Sequence, residues 1–130
     1  MVNYLAVLVT AIVGYVIGML WYSPVMFGKQ WMKLAGMSKK DCKKPPMATM
    51  VYAFLAVLVM SYIFAMLLGM LGSVGFYAGA MVGFWVWLGF LATTQINMVF
   101  WQKKPFNLYL LNTAHYLVAL VVMGGILAVW

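Results

Sequence analysis

The sequence predicts an all-α polytopic membrane protein: a four-transmembrane-helix bundle with a short interfacial amphipathic helix after the first span. Three observations carry this. The 130 residues are 68% hydrophobic and only 7% charged, with mean hydropathy +1.04, whereas a soluble domain is roughly half apolar and a quarter charged. The uncharged runs are long enough to cross a bilayer. The eight lysines collect in the connectors between those runs, with no arginine and Asp41 as the single acid. One domain, residues 1–130, is expected at this length.

The first span is residues 2–22. These 21 uncharged residues would rise about 31 Å as a helix, enough for a hydrocarbon core of about 30 Å. Pro24 cannot continue the helical bonding and ends it. Met1-Val2-Asn3 has no basic region, and the run closes on Trp21-Tyr22-Ser23-Pro24 with no small-residue cleavage site. The reading is a retained helix, not a secretory signal. Residues 25–36 follow as the interfacial helix. Phe27, Trp31 and Leu34 fall on one face, Lys29 and Lys33 on the opposite one, the pattern of a helix lying in the headgroup plane. Trp21, Tyr22, Phe27 and Trp31 are the expected interface anchors, since amphipathic rings favour the headgroup level. Gly36 suits a helix end.

Residues 37–46 form the basic loop. Ser38 with Asp41 three residues on resembles a capping box, and Pro45-Pro46 closes the segment. From Pro45 to Gln102 run 58 residues without charge, too many for one span and right for two. Glycines cluster at 69–75, which places a break there and spans at residues 47–68 and 76–101. Gln102-Lys103-Lys104-Pro105 makes a tight turn, and the fourth span is residues 106–129. All eight lysines then lie in the first and third connectors and none in the second. The positive-inside rule puts loops 23–46 and 102–105 in the cytoplasm and both termini outside, in a cytoplasmic membrane of the bacterial type.

Burial of apolar surface does not drive helices together in lipid, so close packing between small residues must do it. Ala6, Thr10, Gly14 and Gly18 form a four-residue ladder on the first span; Ser61, Ala65 and Gly69 form one on the second; Gly75, Gly79 and Gly83 form one on the third. These are the expected helix-packing residues, toward the bundle interior or toward another copy.

Chemistry-bearing residues are scarce. No carboxylate lies in a span, which excludes a proton relay of the Asp or Glu type. One histidine cannot by itself make a metal site, and no catalytic set is present, so no enzyme activity and no cofactor are expected. The lone Cys42 admits no internal disulfide; among four lysines it is a reactive thiol or an incidental one. Lysines confined to short connectors give no basic face for nucleic acid. The 13 methionines fill gaps between helices more readily than they make a Cu(I) site. What remains is a polar cluster on the last two spans. Thr94 and Asn97 share a face of the third; Asn112 and His115, with Tyr116 adjoining, share a face of the fourth at matching depth. These five residues are either hydrogen-bonding glue across the hairpin or a polar pocket open to the cytoplasm, with His115 as its titratable group.

The stretch Gly18-Met-Leu-Trp-Tyr-Ser-Pro-Val-Met-Phe-Gly-Lys-Gln-Trp resembles family 1761 of the domains of unknown function. The resemblance continues through Gly36-Met-Ser-Lys-Lys-Asp, Trp87-Leu-Gly-Phe-Leu-Ala-Thr-Thr and Asn112-Thr-Ala-His-Tyr-Leu-Val, so it covers essentially the whole chain. It implies a small four-helix integral membrane protein and assigns no function. Two roles remain expected. One is a non-enzymatic homo-oligomer forming a small-solute or ion pathway. The other is an accessory or lipid-binding subunit of a larger membrane complex, its basic loop attracting anionic lipid headgroups.

Overall fold

A computed structural model describes residues 2–36 and 47–130. The basic loop 37–46, with Ser38, Asp41 and Cys42, lies outside the described residues. The architecture is all-helical, with no strand among the described residues. Among the described residues four helices are long and apolar enough to cross a membrane: α1 (Tyr4–Trp21), α3 (Met47–Leu71), α4 (Phe76–Phe100) and α5 (Phe106–Val129). The short α2 (Gly28–Ala35) lies between α1 and α3. It turns Trp31 and Leu34 inward and leaves Lys29 and Lys33 exposed.

Local chemistry sets the ends. The Asn3 side chain accepts from the Ala6 N–H at 3.1 Å, so α1 starts at Tyr4, two residues later than the apolar run suggests. The second span runs on to Leu71 rather than stopping at Leu68. Gly72 (φ +65°) is the residue that turns the chain. Its N–H bonds the Gly69 carbonyl at 3.2 Å and the Ser73 N–H bonds the Leu68 carbonyl at 3.0 Å, the paired closure of a glycine-ended helix. Gly36 likewise sits at φ +73° after α2.

The centre of the bundle is α5, which packs against α4 most extensively, then α1, α3 and α2. Its buried residues run from Leu108 to Gly125 and include Leu120 and Met123. The small residues explain how closely the helices meet. A β-carbon on Gly79 would lie 2.6 Å from the Ala128 β-carbon and nearer still to the Gly124 carbonyl oxygen; one on Gly83 would lie 2.7 Å from the Leu120 carbonyl carbon. Gly75 donates its N–H to the Ala128 carbonyl at 3.1 Å. On α1 the ladder faces inward: Ala6, Thr10 and Gly14 are buried, and Gly14 lies under the Met123 sulfur. On α3, Ser61 is buried and donates to the Val7 carbonyl at 2.9 Å, whereas Ala65 is half-buried and Gly69 is exposed with open space beside it.

The third span is not a uniform α-helix. Trp87–Ala92 winds as a π turn, and the chain breaks step again at Ile96. The face against α5 advances by fours through Gly79, Gly83 and Trp87, and the next buried residue, Ala92, is five further on. A π turn inserts one residue, which rotates everything beyond it by about 100° relative to a continuous α-helix.

Candidate functional site

That rotation decides which polar residues meet. In an unbroken helix Asn97 would face α5 with Gly79 and Gly83. Here Thr94 and Asn97 are exposed and do not join Asn112 and His115, so the expected pairing across the hairpin is corrected. Their bonds stay within α4. The Thr94 hydroxyl donates to the Phe90 carbonyl, and the Asn97 amide donates to the Thr94 carbonyl at 3.1 Å. Thr93 donates to the Gly89 carbonyl at 2.7 Å. From across the hairpin the Tyr109 phenol donates to the Ala92 carbonyl at 2.6 Å. Unwinding a helix in lipid frees carbonyls that no water can reach, and these side chains serve the carbonyls of the irregular stretch. The Trp87 indole ties the same hairpin by donating to the Thr113 carbonyl at 2.7 Å.

The polar residues of α5 meet the end of α1 instead. The Tyr22 phenol donates to Asn112 Oδ1 at 2.8 Å, and the Trp21 indole donates to the Leu111 carbonyl at 3.1 Å. Both rings were expected at the headgroup level. Their polar atoms find acceptors inside the protein, so they brace α1 against α5. His115 is boxed by Tyr116, Tyr22 and Trp21, with ring centres 4.7, 5.4 and 6.3 Å away. Room for the imidazole comes from Gly18, where a β-carbon would lie 3.1 Å from His115 Nε2.

The corner after α1 is built on the same motif. Phe27 packs on Trp21 with ring centres 4.6 Å apart, and Trp31 packs edge-on against Tyr22 at 5.6 Å. The Gly28 N–H bonds the Ser23 carbonyl at 2.9 Å. A β-carbon on Gly28 would press within 2.5 Å of the Tyr22 carbonyl, so the turn admits only glycine there without shifting. Trp21, Tyr22, Phe27, Gly28 and Trp31 thus hold α2 against the base of α1, beside His115.

His115 and Tyr116 line a cleft of about 380 Å³ between α1, α3 and α5. Its other walls are Gly14, Gly18, Val57, Met60 and neighbouring apolar side chains, and its mouth passes the exposed Ala53 and Ala56 on α3. Two buried side-chain polar atoms lack a hydrogen-bond partner among the described residues, Thr10 Oγ1 and His115 Nδ1. Nothing in the structure explains the first. The second belongs to the one imidazole at the cleft wall, and an unpaired buried polar group costs about 1–3 kcal/mol.

The sequence reading missed Gly124 and Gly125, which oppose the α4 ladder and the Phe76 ring. A Gly-Gly pair in an apolar run was the available signal. The model of a family described as "Protein of unknown function (DUF1761)" matches residues 5–128. No curated protein and no solved structure matches.

Proposed function

The chain belongs to the DUF1761 family, proteins of unknown function, and we propose that it is a non-enzymatic membrane protein that binds a lipid-soluble molecule in the cleft between α1, α3 and α5. The observation that carries this is His115. Its imidazole and the Tyr116 phenol put a polar edge on a cleft otherwise walled by Tyr15 and apolar side chains, with its mouth beside the exposed Ala53 and Ala56. Binding sites of this kind are mostly apolar, with a few polar groups that orient the ligand. The ligand class that fits is an amphiphile with an apolar body for the Val57 and Met60 walls and one hydrogen-bonding group for the imidazole. Both basic connectors face the cytoplasm in this reading, which puts His115 about 14 Å in from that end of α5.

The test is the organic extract of the purified protein. The expected result is one small amphiphile per chain, enriched over its share of the membrane. Ala56→Trp, which blocks the mouth at an exposed position, and His115→Leu both lose it. An extract matching the bulk membrane, or equal occupancy in both variants, overturns the reading.

A second reading has one observation in its favour. The interior of a single chain is filled, with Leu120 and Met123 fully buried, so a solute route would run between copies. The exposed Thr93, Thr94 and Asn97 are polar side chains that a second copy would cover. Native mass spectrometry of protein released gently from its own membrane separates these outcomes: a single homo-oligomeric mass supports the route, a monomer refutes it, and a stoichiometric foreign chain supports an accessory subunit.

A further inference from the structure

A second groove lies on the other side of the α1–α5 seam, between α2 and the first turns of α5. It measures about 580 Å³ and shares no lining residue with the His115 cleft. Its polarity is graded. Gln30 and Lys33 on α2 and Asn107 on α5 make a polar rim, and Phe27, Leu34 and Leu111 make an apolar floor. Asn107 stands in the first turn of α5, at the level of the connectors, and Leu111 lies one turn, about 6 Å, deeper. Going into the membrane the groove therefore passes from cationic and amide groups to hydrocarbon, the order found along a phospholipid.

The charge of the rim selects the headgroup. Lys33 is exposed, and the whole chain holds a single acid, Asp41. The α5 first turn carries no acidic residue, and Pro105 before it gives no side-chain cap. Among the described residues the positive end of the α5 dipole thus has no side-chain acceptor, and it adds to the field of Lys33. Lys103 and Lys104 stand immediately before this turn. A free phosphate would gain the rim alone, whereas a phospholipid gains the rim and the floor together.

We propose that this groove binds one anionic phospholipid, with its phosphate at Lys33 and its glycerol and upper acyl chain on the floor at Leu111. This places the lipid at a built groove, beyond the diffuse attraction expected of the loop lysines. It stands independently of the ligand assigned to the His115 cleft.

The test is lipid retention by native mass spectrometry of the full chain in mild detergent, titrated with phosphatidylglycerol or phosphatidylcholine. Wild type should hold one phosphatidylglycerol per chain at concentrations where phosphatidylcholine is not held. Lys33→Gln should weaken retention about fivefold, and Lys33→Glu should do so further. Lys33→Gln falls on an exposed side chain, so its thermal midpoint should not move. Joint replacement of Lys39, Lys40, Lys43 and Lys44 by Gln should leave the lipid bound, as should Ala56→Trp. Equal retention of the two lipids, unchanged retention in Lys33→Glu, or loss in the loop variant alone overturns the proposal.

Discussion

Gly79→Ala is the sharpest probe of how this bundle is held together. The added β-carbon would point at the Gly124 backbone and sit 2.6 Å from the Ala128 β-carbon. Ordinary contact begins near 3.4 Å, so α4 must retreat by about 1 Å at its crossing with α5. The obstacle is main chain, which cannot swing aside as a long side chain would. Overpacking of this kind costs about 1–3 kcal/mol, and a backbone obstacle belongs at the upper end. Replacing glycine by alanine within a helix returns about 1 kcal/mol, for a net loss of about 2 kcal/mol. Gly89 supplies the control on the same helix, because nothing lies within 4 Å of its added β-carbon. Gly89→Ala should gain up to about 1 kcal/mol. Reversible unfolding in mixed micelles against the fraction of denaturing detergent, followed by circular dichroism, should therefore separate the two variants by about 3 kcal/mol. Equal stability, or greater stability of Gly79→Ala, would refute close α4–α5 contact as the main adhesive.

Two further outcomes follow from other parts of the molecule. Tyr22→Phe removes the donor to Asn112, and a double-mutant cycle with Asn112→Leu should give a coupling of about 0.6 kcal/mol, typical of such bonds in membranes; no coupling would mean that the brace between α1 and α5 is not formed. Cys42 is the only thiol, and the proposed orientation, argued from the confinement of lysines to two connectors, expects it on the cytoplasmic side. An impermeant maleimide should therefore label it only after permeabilisation, and labelling of intact cells would reverse the orientation.

The spans were legible because hydrocarbon permits few alternatives. Long uncharged runs broken by Pro24, by the glycines from Gly69 to Gly75 and by Lys103-Lys104 leave only one way to divide the chain into helices of membrane length. The ends were less legible. Leu68 and Leu71 have the same chemistry, and which glycine turns the chain depends on where a left-handed backbone is needed; that residue is Gly72, at φ +65°, whereas Gly69 remains helical. The four-residue spacing of small residues could not say what each ladder would touch. Gly79 and Gly83 lie against α5 and Gly14 against Met123, while Gly69 meets nothing within 4 Å.

The polar cluster was legible as a set of residues and not as a pairing, and the reason is one inserted residue. Counting by 3.6 from Gly79 carries Asn97 to the face of α5. The π turn at Trp87–Ala92 consumes one extra residue and carries it away. No proline marks the place, and Gly89 is the one helix-weakening residue inside it. The cost of the turn is met by hydroxyl donors, since Thr93, Thr94 and Tyr109 each donate to a carbonyl between Gly89 and Ala92. The residues on α4 that invited a polar pocket, Thr94 and Asn97, therefore bond to carbonyls of their own irregular helix. This releases Asn112 and His115 from the hairpin and leaves them to α1, where Tyr22 takes the amide and Gly18 makes room for the ring. The Trp-Tyr-Ser-Pro corner and the histidine, 94 positions apart from Trp21 to His115, thereby become parts of one site. That juxtaposition follows from the packing of α1 on α5, which no local pattern in either helix encodes.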